Sequence, residues 1–307
     1  MKPYDVLVIG RSCLDYIAVV SQFPGENRKT PLESRMIEGG GQGGTASCAV
    51  TKLGGRVAYV GKLGNDPEGR LCRERLEFFG VPTQFLEDIP GGVTPVAYII
   101  ITQKTGARTI CYERSALPKI IIDERVNQLI DHSNVILLDP ETTYLGNILA
   151  QRKNRQSLIV YDCESWRNGI EGIMKIADYF IPSADFLQSP ELAFEDLPLP
   201  QQFKRLERMI KGRLIVTDGE KGAYYSVNGR INQVKAPTVA VLDTLGAGDV
   251  FHGAFALAVS RGLELPQAVK LSVAAASLSC RDYGGRRGIP NWDEAMETSR
   301  ILEVIRL

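Results

Sequence analysis

The sequence predicts a three-layer α/β fold, a mostly parallel sheet with helices on both faces. Two observations point to it. Short apolar runs of strand length recur without polar alternation at residues 6–9, 57–60, 135–138, 158–161, 179–181 and 214–217. Strands of that kind belong to a sheet covered on both sides. Helical patterns lie between several of them, for example at 68–79 and 203–210, and alternation of strand and helix is the mark of parallel architecture.

In chain order, Val6, Leu7, Val8 and Ile9 form the first buried strand. Residues 14–38 break the rhythm, alternating loosely and rich in turn formers such as Pro24, Gly25, Asn27 and Pro31. A glycine run from Gly39 to Gly44 leads into Ala46, Ala49, Val50 and Leu53, which lie at helical spacing and stop at Gly54 and Gly55. Residues 94–114 read as a hairpin turning at Lys104, Thr105 and Gly106. The stretch 182–200 is the most loop-like, with four prolines. The strand at 214–217 ends in an Asp-Gly turn that enters another hairpin at 223–227. An apolar lead-in (Val239, Val241, Leu242) then meets a second glycine turn. Beyond it Val250, Phe251, Ala254, Phe255, Ala258 and Val259 fall on helical spacing, with Gly262 as the stop. A small-residue helix through Ala274, Ala275 and Ala276 precedes a last glycine turn at Gly284 and Gly285. With no internal repeat or low-complexity linker, residues 1–307 are expected to form a single domain.

Composition narrows the function classes. The chain has 307 residues, 44% hydrophobic, and its 36 basic and 36 acidic side chains balance to zero net charge. That length supports a full core, and the balance gives no electrostatic case for nucleic acid or an anionic membrane. No apolar run reaches membrane-spanning length. The N-terminal residues run straight into a strand, so no signal peptide is expected. Cys13, Cys48, Cys72, Cys111, Cys163 and Cys280 are scattered, with no Cys-x-x-Cys and only two histidines. They read as reduced thiols of a cytoplasmic protein, with no zinc site or disulfide framework.

The most informative stretch runs from Asp243 to Gly253. Its glycine turn delivers free backbone N–H groups at a helix N-terminus, where the dipole favours anions such as phosphate. Gly246 and Gly248 carry no Cβ to keep a phosphate away from the backbone. Asp249 sits in the first helical turn, either as a partner of the dipole or as a general base that takes a proton from an attacking hydroxyl. An anion hole beside a base suggests phosphoryl transfer from a nucleotide to an alcohol.

The same stretch, Asp-Thr-x-Gly-Ala-Gly-Asp-x-Phe-x-Gly, resembles the C-terminal signature of the ribokinase-like (PfkB) carbohydrate kinases, and all of its fixed positions are met. The resemblance spans nearly the whole chain, from Asp15 to Pro290. It implies that Asp249 is the catalytic base and that Gly246, Ala247 and Gly248 form the anion hole. It further implies ATP and Mg²⁺ as cofactors, and a small β lid at approximately 11–38 and 93–117 over the sugar, through which two copies pair. Asp15, read from its residues alone, is equally a turn cap and a ligand; the resemblance makes it a sugar ligand, as it does Gly40, Gly41 and Thr45, the last standing about where many members have Asn. Thr217, Gly219 and Gly222 resemble the nucleotide-contacting Thr-x-Gly-x-x-Gly segment. Asp243, with the tail near Gly284, implies a monovalent-cation site for an ion such as K⁺. The Asn-x-x-Glu of many members is absent, since Ser183, Ala184, Asp185 and Phe186 stand there.

The substrate reading rests on shorter matches. Residues 108–118 resemble the lid-to-core segment of ketohexokinases, with Arg114 reaching a sugar oxygen. The Gly-Gly-Arg-x-Gly-Ile-Pro tail resembles sulfofructose kinases. Both imply a ketohexose such as fructose. Glu141, near the place where a sulfonate-binding Arg would stand, favours a neutral sugar, and ribose or a nucleoside stays open. Two other classes also stay open. Gly39–Gly44 formally fits a dinucleotide fingerprint with Asp66 at the distance of a ribose acid, although residues 32–38 are too polar for the buried strand that should precede it. A silent sugar or nucleotide sensor on the same fold is the other. Arg286 and Arg287 are read as touching phosphate or, for at least one of them, as solvated; His252 is read as a packed helix residue.

Overall fold

The computed structural model describes residues 2–152, 156–194 and 196–307. The chain opens with β1 (Tyr4–Ile9), β2 (Cys13–Val20), β3 (Ser34–Gly40), α1 (Gln42–Lys52), β4 (Val57–Gly64), α2 (Pro67–Phe78) and β5 (Leu86–Ile89). It continues through β6 (Val96–Thr102), β7 (Ala107–Tyr112), α3 (Glu124–Asp131), β8 (Ser133–Leu138), α4 (Leu145–Ala150), β9 (Leu158–Cys163), α5 (Ile170–Met174) and β10 (Tyr179–Pro182). The C-terminal part is α6 (Leu199–Met209), β11 (Arg213–Thr217), β12 (Ala223–Val227), β13 (Arg230–Val234), α7 (Ala247–Ser260), α8 (Leu265–Ser279), α9 (Trp292–Ile301) and β14 (Val304–Arg306).

All six apolar runs are strands of one ten-stranded sheet, in the order β14-β13-β12-β11-β10-β9-β8-β1-β4-β5. From β5 to β11 the pairing is parallel; β12, β13 and β14 add an antiparallel meander at one edge. Side chains alternate across a strand, and β1 divides accordingly. Val6 and Val8 pack with α1, α2, α7, α8 and α9 on one face, while Leu7 and Ile9 pack with α3, α4, α5 and α6 on the other.

The two segments that broke the rhythm form a second sheet, β3-β2-β6-β7. Ile17, Val19, Ala97, Ile99 and Ile101 make its own small core, against which Leu245 of the signature loop packs. The loop-like stretch 182–200 holds two short 3₁₀ turns and the start of α6; Glu195 lies outside the described residues. The lead-in at Val239–Leu242 is no strand. Leu242 donates its N–H to the Cys280 carbonyl at the end of α8, so this backbone is satisfied by a helix end.

Part of the signature serves packing. A Cβ on Gly253 would lie 2.5 Å from the Ala46 carbonyl oxygen and 2.9 Å from the Ala49 Cβ, because α7 crosses α1 there without a gap. Ala in an exposed helix would be favoured over Gly by about 1 kcal/mol. Here Gly253→Ala is expected to destabilise the protein instead, by about 1–3 kcal/mol of overpacking, measured by urea unfolding.

Candidate active site

Parallel strands end at a common edge, and ligands of open α/β sheets bind beyond the carboxyl ends of the strands. Here β1 is followed by Arg11, β8 by Asp139, β9 by Glu164 and β10 by Ser183, while Asp162 and Thr217 end β9 and β11. The signature loop and the small sheet close over this edge. Between them lies a cavity of about 440 Å³, lined by Asp15, Gly40, Gly41 and Thr45 on one side and by Thr217, Gly246, Gly248 and Asp249 on the other.

The N-terminus of α7 has the geometry that the sequence suggested. Gly246 caps it in the left-handed region at φ 69°, and a Cβ there would lie 2.9 Å from the Gly285 Cα; both facts demand glycine. A Cβ on Gly248 would meet nothing within 4 Å, so its backbone is open towards the cavity. Asp249 follows it. Burial, and then the neighbouring Asp162 carboxylate, push the Asp249 pKa up to about 8, against a partial opposing effect of His252. Asp162 is itself raised by burial and by Asp139. His252 packs as expected, yet it also lines the cavity. Its Nδ1 lies 2.6 Å from the Gly248 carbonyl and its Nε2 3.1 Å from that of Ile181, with Asp162 at 3.5 Å. A neutral imidazole has one N–H and so donates to only one of those carbonyls.

Asp15 projects from β2 and is 6% exposed. Burial raises it to about 6 in spite of the Cys13 thiol, which donates to it, and of the Arg286 and Arg11 charges. Its carboxylate fills the space where a Cβ of Gly40 would be, and a Cβ of Gly41 would strike the Arg11 and Ser12 backbone. The glycines thus let β2 and the turn before α1 approach closely. The same placement removes the dinucleotide reading. The glycine run ends an antiparallel lid strand, β3, where that fingerprint needs a parallel core strand, and Asp66 caps α2 by accepting the Gly69 N–H.

Other expected residues lie elsewhere. Arg114 is exposed and does not line the cavity, because the chain has already left β7, a fully exposed edge strand. Neither Gly219 nor Gly222 lines it. Gly222, at φ 89°, is required because a Cβ would run into the Val234 carbonyl of β13. Asp243 is 1% exposed, with Oδ1 accepting the Leu245 N–H and Oδ2 the Gly284 N–H, each at 2.9 Å. Both carboxylate oxygens therefore already serve the backbone. Arg286 is buried, and Arg287 pairs with Glu38, so neither faces the cavity as a phosphate contact.

A group of side chains that the motifs did not reveal borders the cavity. Arg11 reaches Glu141 and Gln42; Gln42 reaches Glu164; Arg167 bridges Glu141 and Glu164. The ring pairs two cations with two anions. Asp139 anchors it by accepting the Arg11 and Glu141 N–H groups. The available signal was position, since Asp139 and Glu164 each stand immediately after a strand and Arg11 two residues after one. Among the described residues no three His, Cys, Asp or Glu side chains converge on a metal. Asp162 and Asp185 line the same cavity as Gly246 and Gly248, and their oxygens suit a hard cation that keeps most of its water.

A family model for pfkB family carbohydrate kinases matches residues 4–292. The chain is 25% identical over 298 residues to the ribokinase of Bacillus subtilis (strain 168), covering 95% of this chain and 98% of that one. It is 30% identical over 244 residues to the Arabidopsis thaliana protein named "Probable fructokinase-5", covering 72% and 74% respectively. The solved structure of Arabidopsis thaliana ribokinase complexed with ribose and ATP has the same fold, at a TM-score of 0.80 and 22% identity over 98% of this chain and all of that one. With its signature turn at the mouth of a cavity, this chain belongs to the pfkB family of carbohydrate kinases.

The carboxylates carry a consequence for stability. Asp15 and Asp139 rise to about 6 and Asp249 to about 8, whereas unfolded carboxyls titrate near about 4. Each contributes stability that is present in full below about pH 4 and lost as pH rises through its folded value. The melting temperature of the ligand-free protein is therefore expected to fall between about pH 5 and pH 8.5, and Asp249→Asn to flatten the upper part of that fall. Calorimetry across this range checks it, and an unchanged slope in the variant would contradict it.

Proposed function

We propose that the protein transfers the γ-phosphoryl group of ATP to a hydroxyl of a small neutral sugar. One observation supports this above the others: Asp249 and the bare Gly248 backbone open into the same cavity as Asp15, Gly40 and Gly41. A base and an anion hole thus face a carboxylate able to accept two sugar hydroxyls. Asp249 takes the proton of the attacking hydroxyl, while the amides of Gly246, Ala247 and Gly248 stabilise charge on the transferring group. Thr217, which lines the cavity at the end of β11, lies towards the nucleotide. Mg²⁺ bound with the nucleotide would supply charge neutralisation, and Asp162 and Asp185, which line the cavity, would support it through water. In the ligand-free state Asp249 holds its proton to a pH near 8, so sugar turnover rises with pH through that group.

The paired ring of Arg11, Glu141, Arg167 and Glu164 leaves no net charge at the sugar end, which favours a neutral substrate. Fructose is the first candidate, by the tail at Gly284–Pro290 and by the fructokinase relative. Ribose is the second, by the ribokinase relatives. Arg114, exposed and away from the cavity, no longer argues for the ketohexose. Ile110 and Tyr112 of the small sheet line the cavity, whereas Tyr98 is exposed on the other face, where Tyr16 stacks on it at 5.4 Å. That exposed aromatic pair supports pairing with a second copy. A monovalent cation such as K⁺ beside Asp243 would have to use backbone carbonyls.

ADP formation with ATP and Mg²⁺, across fructose, ribose, other ketohexoses and nucleosides, with and without K⁺, tests the assignment. One sugar is expected to drive turnover, and Asp249→Asn to lower kcat by about 10²–10⁴-fold with ATP binding retained; near-wild-type turnover in the variant would refute the role of the base. Sedimentation of the intact protein is expected to give a dimer that Tyr98→Asp converts to monomer.

A further inference from the structure

Arg286 is the largest fully buried side chain of the described protein, 1% exposed. It lies behind the wall of the cavity and does not line it. Nη2 donates to the Gly40 carbonyl at 2.8 Å and Nε to Thr45 Oγ1 at 3.3 Å, while Nη1 has no protein acceptor. A buried guanidinium is costly unless an opposite charge stands near, and Asp15 is one such charge.

The glycine run is shaped around this group. A Cβ on Gly39 would overlap Nη1, and one on Gly44 would lie 2.6 Å from Nη2. The space of a Gly40 Cβ is occupied by the Asp15 carboxylate. The loop carrying Arg286 is in turn bound to the signature. Gly284 donates to Asp243, and Gly285 abuts Gly246. One buried cation therefore connects the turn that presents Gly40, Gly41 and Thr45 with the loop that shapes the anion hole.

We propose that Arg286 is a positioning residue for sugar binding: its guanidinium, seated in the space left by Gly39 and Gly44, holds Gly40, Thr45 and Asp15 in their binding arrangement. This rests on the reading of those three residues as sugar contacts. Because Arg286 hydrogen-bonds Gly40 and Thr45, stands as a charge near Asp15, and makes no hydrogen bond to Asp249 or Thr217, its removal acts first on the sugar.

The test measures kcat and both KM values, with a sugar that the wild type phosphorylates, for Arg286→Met, Arg286→Lys and Gly39→Ala. Gly39→Ala keeps the arginine but takes its space, so it carries the test even if Arg286→Met does not fold. Losing a hydrogen-bonded charge is expected to raise the sugar KM about 10-fold or more in Arg286→Met and Gly39→Ala. The ATP KM and kcat are expected to stay within about threefold, and Arg286→Lys to fall between them and the wild type. An unmoved sugar KM in Gly39→Ala, or an ATP KM and kcat that deteriorate in step with the sugar KM, would overturn the proposal and leave the kinase assignment standing. A wild type that phosphorylates no sugar would remove the parent reading and this one with it.

Discussion

The functional arrangement depends on one buried carboxylate. Asp243 accepts the Leu245 N–H with one oxygen and the Gly284 N–H with the other, and so joins the loop before α7 to the loop after α8. Together with the Leu242 and Asp243 N–H groups on the Cys280 carbonyl, that clamp fixes Gly246 against Gly285 and sets the position of the first turn of α7. Carboxylates that accept backbone N–H groups are strong fasteners. This one joins residues 41 apart in sequence. The same C-terminal loop carries Arg286 to the glycine turn and Arg287 to Glu38 on β3, so core and lid meet through four consecutive residues, Gly284 to Arg287.

Charge at the cavity is arranged at a cost. Asp15, Asp139, Asp162 and Asp249 are all raised by burial, and a folded protein without ligand must hold protons there or tolerate unfavourable anions. Raised carboxylates of this kind cluster where chemistry is done. A carboxylate that is desolvated before substrate arrives would lose little reorganisation energy in acting as a base. The Arg11–Glu141–Arg167–Glu164 ring is the opposite case, in which every charge is already answered and the surface it offers is polar but neutral.

The parallel sheet, its helices and the lid hairpin were legible in the sequence because each follows from a local pattern, whether an apolar run, helical spacing or a turn. The turn before α7 was legible for the same reason, as Gly246, Gly248 and Asp249 are neighbours in the chain. Other sites were decided by contacts across long separations. Gly39 and Gly44 leave room for a guanidinium more than two hundred residues away, and Gly222 for a carbonyl on the next strand. A reading of Gly39–Gly44 by its own spacing could offer only a nucleotide turn or a sugar turn. Arg286 and Arg287 are adjacent and identical in type, and only tertiary structure separates the buried one from the half-exposed one. Arg114 misled because residues 108–118 matched in pattern, while the cavity lining along this segment stops at Glu113. Arg11, Asp162 and Arg167 belong to no motif; the placement of Arg11 and Asp162 at strand ends was a clue, and Arg167, in the loop beyond β9, offered none.

The most direct measurement is ³¹P NMR of the intact protein with ATP, Mg²⁺ and either fructose or ribose. A cavity that brings Asp249, the open Gly248 backbone and Asp15 together predicts a new phosphomonoester resonance growing in step with ADP. ADP accompanied only by inorganic phosphate, or spectra unchanged with every sugar despite bound ATP, would contradict it.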